Sequence, residues 1–207
     1  MTITKKTRLL PAPFIGTRIK IKLDDPESLE WGIYRLTLLG GVDSTLINWG
    51  DGTSERVQSV QSLTHAYPST GTYEVTIPDE CTDIVLASLT KSSPFYAVYP
   101  PAVRSVISNA TNFKRVSIGA FGNTANMEVC DLKAAPIEII AVASFYNCPV
   151  ITHLDFPKVT SIASKSFAQC PALTEIHFGK ANEAIISALS GYGDAFGAEN
   201  AKISFDL

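Results

Sequence analysis

IEIIAVASFYNCPVITHLDFPK (Ile137–Lys158) is followed directly by VTSIASKSFAQCPALTEIHFGK (Val159–Lys180), and the two stretches carry the same pattern. Apolar residues recur at an offset of 22, while the residues between them vary freely. The matched pairs are Ile137 with Val159, Ile140 with Ile162, Phe145 with Phe167, Cys148 with Cys170, Ile151 with Leu173, Leu154 with Ile176, and Phe156 with Phe178. A unit of this size cannot bury its own apolar edge, so it stacks on a copy of itself. The sequence therefore predicts a repeat solenoid.

Fainter copies of the unit precede this pair. The stretch FKRVSIGAFGNTANMEVCDLKAAP (Phe113–Pro136) matches at an offset of 24, with its two extra residues after Leu132. One further step back places Val106 and Ser108 in the strand positions of a weak first unit. These units, with S-I-x-x-x-x-F-x-x-C and L-x-x-I-x-F, resemble the BspA-like bacterial leucine-rich repeat over about residues 100–180. The resemblance implies a short solenoid whose strands form one parallel sheet.

The end of the chain has the features of a cap. Asn182 is expected to cap a helix over Glu183–Leu189 that stops at Gly191. Its expected apolar face consists of Ile185, Ile186 and Leu189. Ile203 and Phe205 repeat the I-x-F of Ile176 and Phe178, which predicts a last strand covering the open end of the solenoid.

The N-terminal third alternates apolar and polar residues in short runs such as TRIKIKL (17–23), separated by turn signals such as Gly50–Asp51–Gly52. That spacing is typical of an all-β sandwich. INWGDGTSERV (47–57) and THAYPSTGTYEVTI (64–77) resemble the polycystic kidney disease (PKD) domain, which is immunoglobulin-like. The matching residues are Trp49, Gly50, Asp51, Gly52, Thr53, His65, Tyr67, Gly71, Tyr73 and Val75. The resemblance implies structural roles, with Asp51 pinning a turn and Trp49 and Tyr73 in the core. His65 belongs to this motif and is expected to be structural.

The expected fold class is mainly β, an N-terminal immunoglobulin-like sandwich followed by a short leucine-rich-repeat solenoid with a capping helix. The expected segments are an extension (1–16), the PKD-like sandwich (17–90), a proline-rich crossover with the first weak repeat (91–112), the repeats (113–180) and the cap (181–207).

Composition narrows the classes of function. The 207-residue chain has a net charge of −3, which gives no basic excess for nucleic acid, and no apolar run long enough to span a membrane. Lys5, Lys6 and Arg8 precede only LLPAPFIG (9–16), so no signal peptide is visible. None of the four cysteines forms a CxxC pair, so zinc is not expected. Cys148 and Cys170 are expected to be buried thiols, although one coil of separation leaves a disulfide open.

Side chains alternate along a strand, so the residues flanking Leu154 and Ile176 should face solvent. This gives a candidate binding surface of Asp131, His153, Asp155, Glu175 and His177. Stacking predicts two ladders across it, Val129–His153–Glu175 and Asp131–Asp155–His177. The same charges can instead satisfy one another on a solvated sheet. No catalytic residue, cofactor or metal is expected there, because an exposed sheet offers no cavity that excludes water.

A second candidate surface is the aromatic cluster of Phe95, Tyr96 and Tyr99 in the crossover. It is either a patch for a carbohydrate or protein, or packing between the two halves of the chain.

The functional expectation is a non-enzymatic recognition or structural module that binds a host protein or glycan. The resembled families imply a bacterial surface protein, and the C-terminus is also similar to gut-phage tail-associated repeat proteins, which implies a virion. The alternative is an accessory, substrate-binding part of a secreted hydrolase system. The oligomeric state is left open.

Overall fold

The computed structural model describes residues 13–27, 29–58, 61–86, 102–191 and 201–206. These residues form fifteen β-strands and one α-helix, so the fold is mainly β as expected. The N-terminal strands are β1 (Gly16–Leu23), β2 (Glu30–Leu38), β3 (Thr45–Asn48), β4 (Ser54–Val57), β5 (Gln61–Ala66), β6 (Gly71–Pro78) and β7 (Cys81–Val85).

The repeats and the cap supply the remaining strands. They are β8 (Val103–Ser108), β9 (Arg115–Val116), β10 (Val129–Asp131), β11 (Ile139–Ile140), β12 (His153–Phe156), β13 (Ser161–Ile162), β14 (Glu175–Phe178) and β15 (Lys202–Phe205). The helix α1 spans Glu183–Gly191, between β14 and β15.

Two antiparallel sheets make up the N-terminal half. One contains β1, β6, β3 and β4, and the other has the order β5-β2-β7. Their inward side chains meet, since the rings of Trp31 on β2 and Trp49 after β3 lie edge to face with centroids 6.5 Å apart. The alternation in β1 is as predicted, with Ile19, Ile21 and Leu23 buried.

The repeats form a solenoid of stacked coils with two rows of parallel strands. One row is β9-β11-β13, and the other includes the sheet β12-β14-β15. Leu154, Ile176 and Ile203 are register partners in neighbouring parallel strands, which confirms the predicted repeat. Inside the coils the phenylalanines stack one above another, with ring centroids 5.4 Å apart for Phe121 and Phe145.

The turns of the coils repeat as faithfully as the strands. Each of three coils has two residues with left-handed backbone, Gly119 and Asn123, Ala143 and Asn147, and Lys165 and Gln169. Asparagine tolerates this conformation better than most residues do. Asn147 Nδ2 also donates to Asn123 Oδ1 at 3.0 Å, so neighbouring turns are tied together.

The N-terminal half and the solenoid share one sheet and one core. β1 pairs with β6 on one side and with β8 on the other, giving the six-stranded order β10-β8-β1-β6-β3-β4. On the other side of the molecule, Leu86 N donates to Ala120 O at 2.7 Å, which joins the end of β7 to the first coil. The Asp83 carboxylate bridges Arg35 on β2 and Ser117 in that coil, at 2.9 and 2.8 Å. The antiparallel half therefore covers the end of the solenoid.

The cap is confirmed, with one correction. Asn182 Oδ1 accepts from Ile185 N at 2.9 Å, which is the expected N-cap of α1. Ile185 is fully buried and Leu189 packs against the core, but Ile186 is 52% exposed. The prediction that Ile186 belongs to the apolar face was therefore wrong, because α1 packs on β13 through a narrower stripe.

All four cysteines are buried and free, which agrees with the expected thiols. Cys148 Sγ donates to Phe121 O at 3.2 Å, and Cys170 Sγ donates to Phe145 O at 3.0 Å, so each thiol bonds to the preceding coil. Among the described residues, no helix has the length and apolar character needed to cross a bilayer.

Candidate binding surface

Strands β12, β14 and β15 carry the candidate surface because each alternates core and solvent positions. Leu154, Phe156, Ile176 and Phe178 are buried. The side chains between them point the other way, and we call them the strand face. Its members are His153, Asp155, Glu175, His177, Lys202 and Ser204.

Two histidines of the strand face pair with carboxylates. His153 Nδ1 lies 3.4 Å from Glu175 Oε2, and both side chains are about half exposed (52% and 45%). His177 Nε2 lies 3.2 Å from Asp206 Oδ1, while its Nδ1 bonds to Ser204 Oγ at 3.0 Å. The registers His153–Glu175 and Asp155–His177 are thus as predicted. Asp206 was missed, because it lies just beyond the repeat pattern.

The predicted ladders stop at β10. This strand pairs with β8, with Val129 opposite Ser105 and Asp131 opposite Ile107. Within the described ranges no backbone hydrogen bond joins β10 to β12, so placing Val129 and Asp131 in continuous ladders with β12 was wrong. We call this break the seam. The units on its two sides differ in length: ten residues separate the start of β10 from that of β11, but eight separate β12 from β13. Coils of unequal length do not superpose along this face.

The seam opens into a cleft of about 260 Å³. Its lining mixes charged and apolar residues and comprises Glu128, Val129, Cys130, Asp131, Lys133, Thr152, His153 and Asp155. Asp131 Oδ1 accepts from Lys133 N at 3.3 Å. Asp155 Oδ1 is buried and accepts no hydrogen bond from the described residues. The seam therefore still brings Asp131, His153 and Asp155 to one place, although not as a hydrogen-bonded ladder. In the part of the chain that the structure describes, no three or more His, Cys, Asp or Glu side chains are placed so that together they could hold a metal ion.

The third histidine, His65, belongs to a different kind of cluster. Its ring stacks on Trp49 at a centroid distance of 4.9 Å, and its Nε2 lies 2.8 Å from Asp51 Oδ2. Thr53 donates to Asp51 Oδ1 through its hydroxyl at 2.6 Å and its amide at 2.9 Å. The Thr53 hydroxyl, followed by the His65 ring, holds the pKa of Asp51 well below its usual range. Asp51 thus pins the turn and orients His65, as expected for structural residues.

The Tyr67 hydroxyl and the Cys81 thiol stay protonated near neutral pH, because burial raises the pKa of each. The Tyr67 hydroxyl donates to Trp49 O at 3.1 Å, and burial raises its pKa. Burial also raises the pKa of Cys81 to about 12. Thiols of this kind are poor nucleophiles near neutral pH. The alternative surface of Phe95, Tyr96 and Tyr99 lies outside the described residues.

Comparison with known proteins identifies the repeats. The BspA type leucine-rich repeat region matches residues 65–189 in six copies, which is more than half of the chain. The chain belongs to the BspA type leucine-rich repeat family. No curated protein and no solved structure matched it significantly.

The BspA type match and the strand pairing differ at their start. The match begins at residue 65, inside β5 of an antiparallel sheet, whereas parallel pairing begins with β8 and β10. The hydrogen-bond register decides which segments are stacked coils, so we place the first coil at β8. Strands β12 and β14 of the strand face lie within the BspA type match, and repeats of this type suggest a surface-associated module for protein interaction.

Proposed function

We propose that this protein is a non-catalytic recognition module of a bacterial surface or phage virion protein, and that its strand face binds a host protein or glycan. The observation that carries the proposal is the alternation of buried and exposed side chains along β12 and β14. Alternate side chains fill the core, while the others, such as His153 and Glu175, are partly exposed and pair with one another across the sheet. Residues without core duties are available to a partner at little cost to folding.

The chemistry of the described residues favours binding over turnover. His153 and Glu175 are about half exposed, and exposed groups lack the low-dielectric surroundings that tune catalytic groups. Asp51 and His65 do resemble a catalytic dyad. However, the His65 ring is stacked on Trp49, and both oxygens of Asp51 are already bonded, Oδ1 to Thr53 and Oδ2 to His65. The pair supports a turn and leaves no open position for a substrate at the carboxylate.

A second candidate function is an accessory, substrate-binding part of a secreted hydrolase system. The cluster of Trp49, Asp51, His65 and Tyr67 favours it, because its residues are those of the PKD-like motif. PKD-like modules accompany secreted hydrolases, and the antiparallel half of this chain has the corresponding motif directly before the repeats.

Binding of the full chain to a glycan array and to a panel of extracellular-matrix proteins tests the first proposal. His153→Ala/Glu175→Ala should weaken any hit among the matrix proteins and the unsulfated glycans at least several-fold. Arg115→Ala/Glu138→Ala is the matched control, because it removes one basic and one acidic side chain from the β9-β11-β13 row, and it should leave binding unchanged. Equal loss in both variants, or none in either, would place the binding site elsewhere.

The hydrolase alternative predicts a different pattern in the same experiment. Plant or bacterial cell-wall polysaccharides should then be retained by the chain, and His153→Ala/Glu175→Ala should not release them. Turnover of any polysaccharide by the chain alone, lost on changing His153 or His177, would contradict both proposals.

A further inference from the structure

The outer side of β1 carries a row of three cations, Arg18, Lys20 and Lys22, which we call the basic row. All three side chains are exposed, while the residues between them are buried. Residues two apart on a strand lie about 6.6–6.8 Å apart on the same side. The basic row is therefore a straight line of positive charge, about 13 Å long.

The position of β1 removes the usual explanation for lysines on a strand. Charged residues often protect the free edge of a sheet from pairing with another chain. However, β1 is an inner strand, paired along its length with β6 and over most of it with β8. The basic row therefore protects no edge, and its charge faces solvent from the middle of a six-stranded sheet.

The basic row is only partly neutralised. Arg18 lies between Thr76 and Ile107, and Lys20 lies between Glu74 and Ser105. Neither makes an ion pair with the described residues. At the far end one carboxylate serves two cations, since Asp24 lies 2.9 Å from Lys22 Nζ and 3.4 Å from Arg104 Nη2. Four cations thus meet two carboxylates, in a protein whose net charge is −3.

The basic row lies on the same side of the molecule as the strand face. Arg18 is opposite Ile107, which is opposite Asp131, and Lys20 is opposite Ser105, which is opposite Val129. Moving across the strands, the surface thus changes from basic on β1 to acidic at the seam. A long anion laid across the sheet would meet Asp131 and Asp155. One laid along β1 would follow the basic row, with Glu74 beside it and with Asp24 at the far end already paired to Lys22 and Arg104. Charge therefore orients an anionic ligand parallel to β1.

We propose that the basic row binds a sulfated polysaccharide lying along β1, with sulfate groups on Arg18 and Lys20. The proposal rests on the function proposed above, that the chain is a recognition module. It adds a ligand class for the exposed side of the antiparallel half. A linear polymer with a strong anion on successive sugars matches a linear row of cations on an open surface. A folded acidic protein presents its carboxylates on a curved surface, which fits a straight row less well.

Surface plasmon resonance of the full chain on immobilised heparin tests this. Arg18→Thr/Lys20→Thr should lower the affinity about 2- to 30-fold, since exposed charge contacts contribute modestly. Threonine keeps the strand propensity of β1. The control, Lys158→Thr/Lys180→Thr, removes the same charge from exposed positions of the repeats and should bind as the parent does. Binding should weaken with salt, because salt screens exposed charges.

Each other result contradicts the proposal. Equal loss in the two double variants shows that heparin senses net charge only. Displacement by polyglutamate as readily as by free heparin makes an acidic polypeptide the occupant. A change of mass in sedimentation equilibrium in Arg18→Thr/Lys20→Thr alone assigns the basic row to self-association. His153→Ala/Glu175→Ala should keep full heparin binding, so failure of the strand face as a site is distinguishable from failure of the basic row.

Discussion

The two halves of the molecule each contain a histidine–carboxylate pair, and the pairs differ in almost every physical respect. In the antiparallel half, the side chains of Asp51 and His65 are 4% and 17% exposed and 2.8 Å apart, and the His65 ring stacks on Trp49. In the repeats, His153 and Glu175 are about half exposed and 3.4 Å apart. A histidine–carboxylate pair is thus part of the internal structure in one half and part of an accessible surface in the other. The surroundings of a polar pair, more than its composition, decide which role it has.

The largest effect should come from the core beneath the strand face. Leu154 is fully buried between His153 and Asp155, so Leu154→Ala should reduce the free energy of unfolding by about 2–5 kcal/mol through lost burial and a cavity. Urea denaturation measures this. Leu46→Ala, at a position that is 50% exposed, is the control and should cost no more than about 0.5 kcal/mol. Similar losses for the two variants would mean that β12 faces the other way.

An intermediate effect should come from the buried pair. Asp51→Asn keeps the size of the side chain but weakens charge-assisted hydrogen bonds, each of which contributes about 1.5–3 kcal/mol. Because the pKa of Asp51 is lowered by folding, its stabilisation is present above its ordinary pKa near 4 and is lost as the pH falls further. Asp51→Asn should therefore lower stability at pH 7 and flatten its decline between about pH 4 and 2. Parallel pH–stability curves for the two proteins would show that Asp51 is not linked to folding.

The smallest effect should come from the exposed pair. His153→Ala/Glu175→Ala should change the free energy of unfolding by less than about 0.5 kcal/mol, because exposed ion pairs contribute little. Thermal melting at pH 7 in low and high salt measures this. A loss comparable to that of Asp51→Asn would erase the contrast between the two halves and make the strand face a structural element.

The repeat is the part of the fold that the sequence predicted best. Where the repeats have constant spacing, each strand pairs with the next in the same register. Counting residues therefore predicted that His153 lies opposite Glu175 and that Ile176 lies opposite Ile203. Counting failed at the seam. An alignment absorbs two extra residues after Leu132 without penalty, but a backbone ladder requires neighbouring coils to superpose.

Other features left no local trace in the sequence. The alternation in TRIKIKL predicted that β1 is a strand with one buried side, but not that β8, more than 80 residues away in sequence, is its neighbour. The pairing of His177 with Asp206 depends on where the chain runs after β15. Which stripe of α1 is buried depends on its position over β13, and this is why Ile186 was misassigned.

The seam also has a mechanical consequence. Two hydrogen-bonded blocks, β10-β8-β1-β6-β3-β4 and β12-β14-β15, abut there without a shared ladder, while β9-β11-β13 runs unbroken through the same coils. The continuous row β9-β11-β13 is placed as a hinge axis, and the cleft is the gap between the two blocks. Bending should concentrate at this line, since opening it breaks no backbone hydrogen bond between described residues. A partner that binds in the cleft and pushes the two blocks apart, or draws them together, would thus change the curvature of the whole solenoid from a single place.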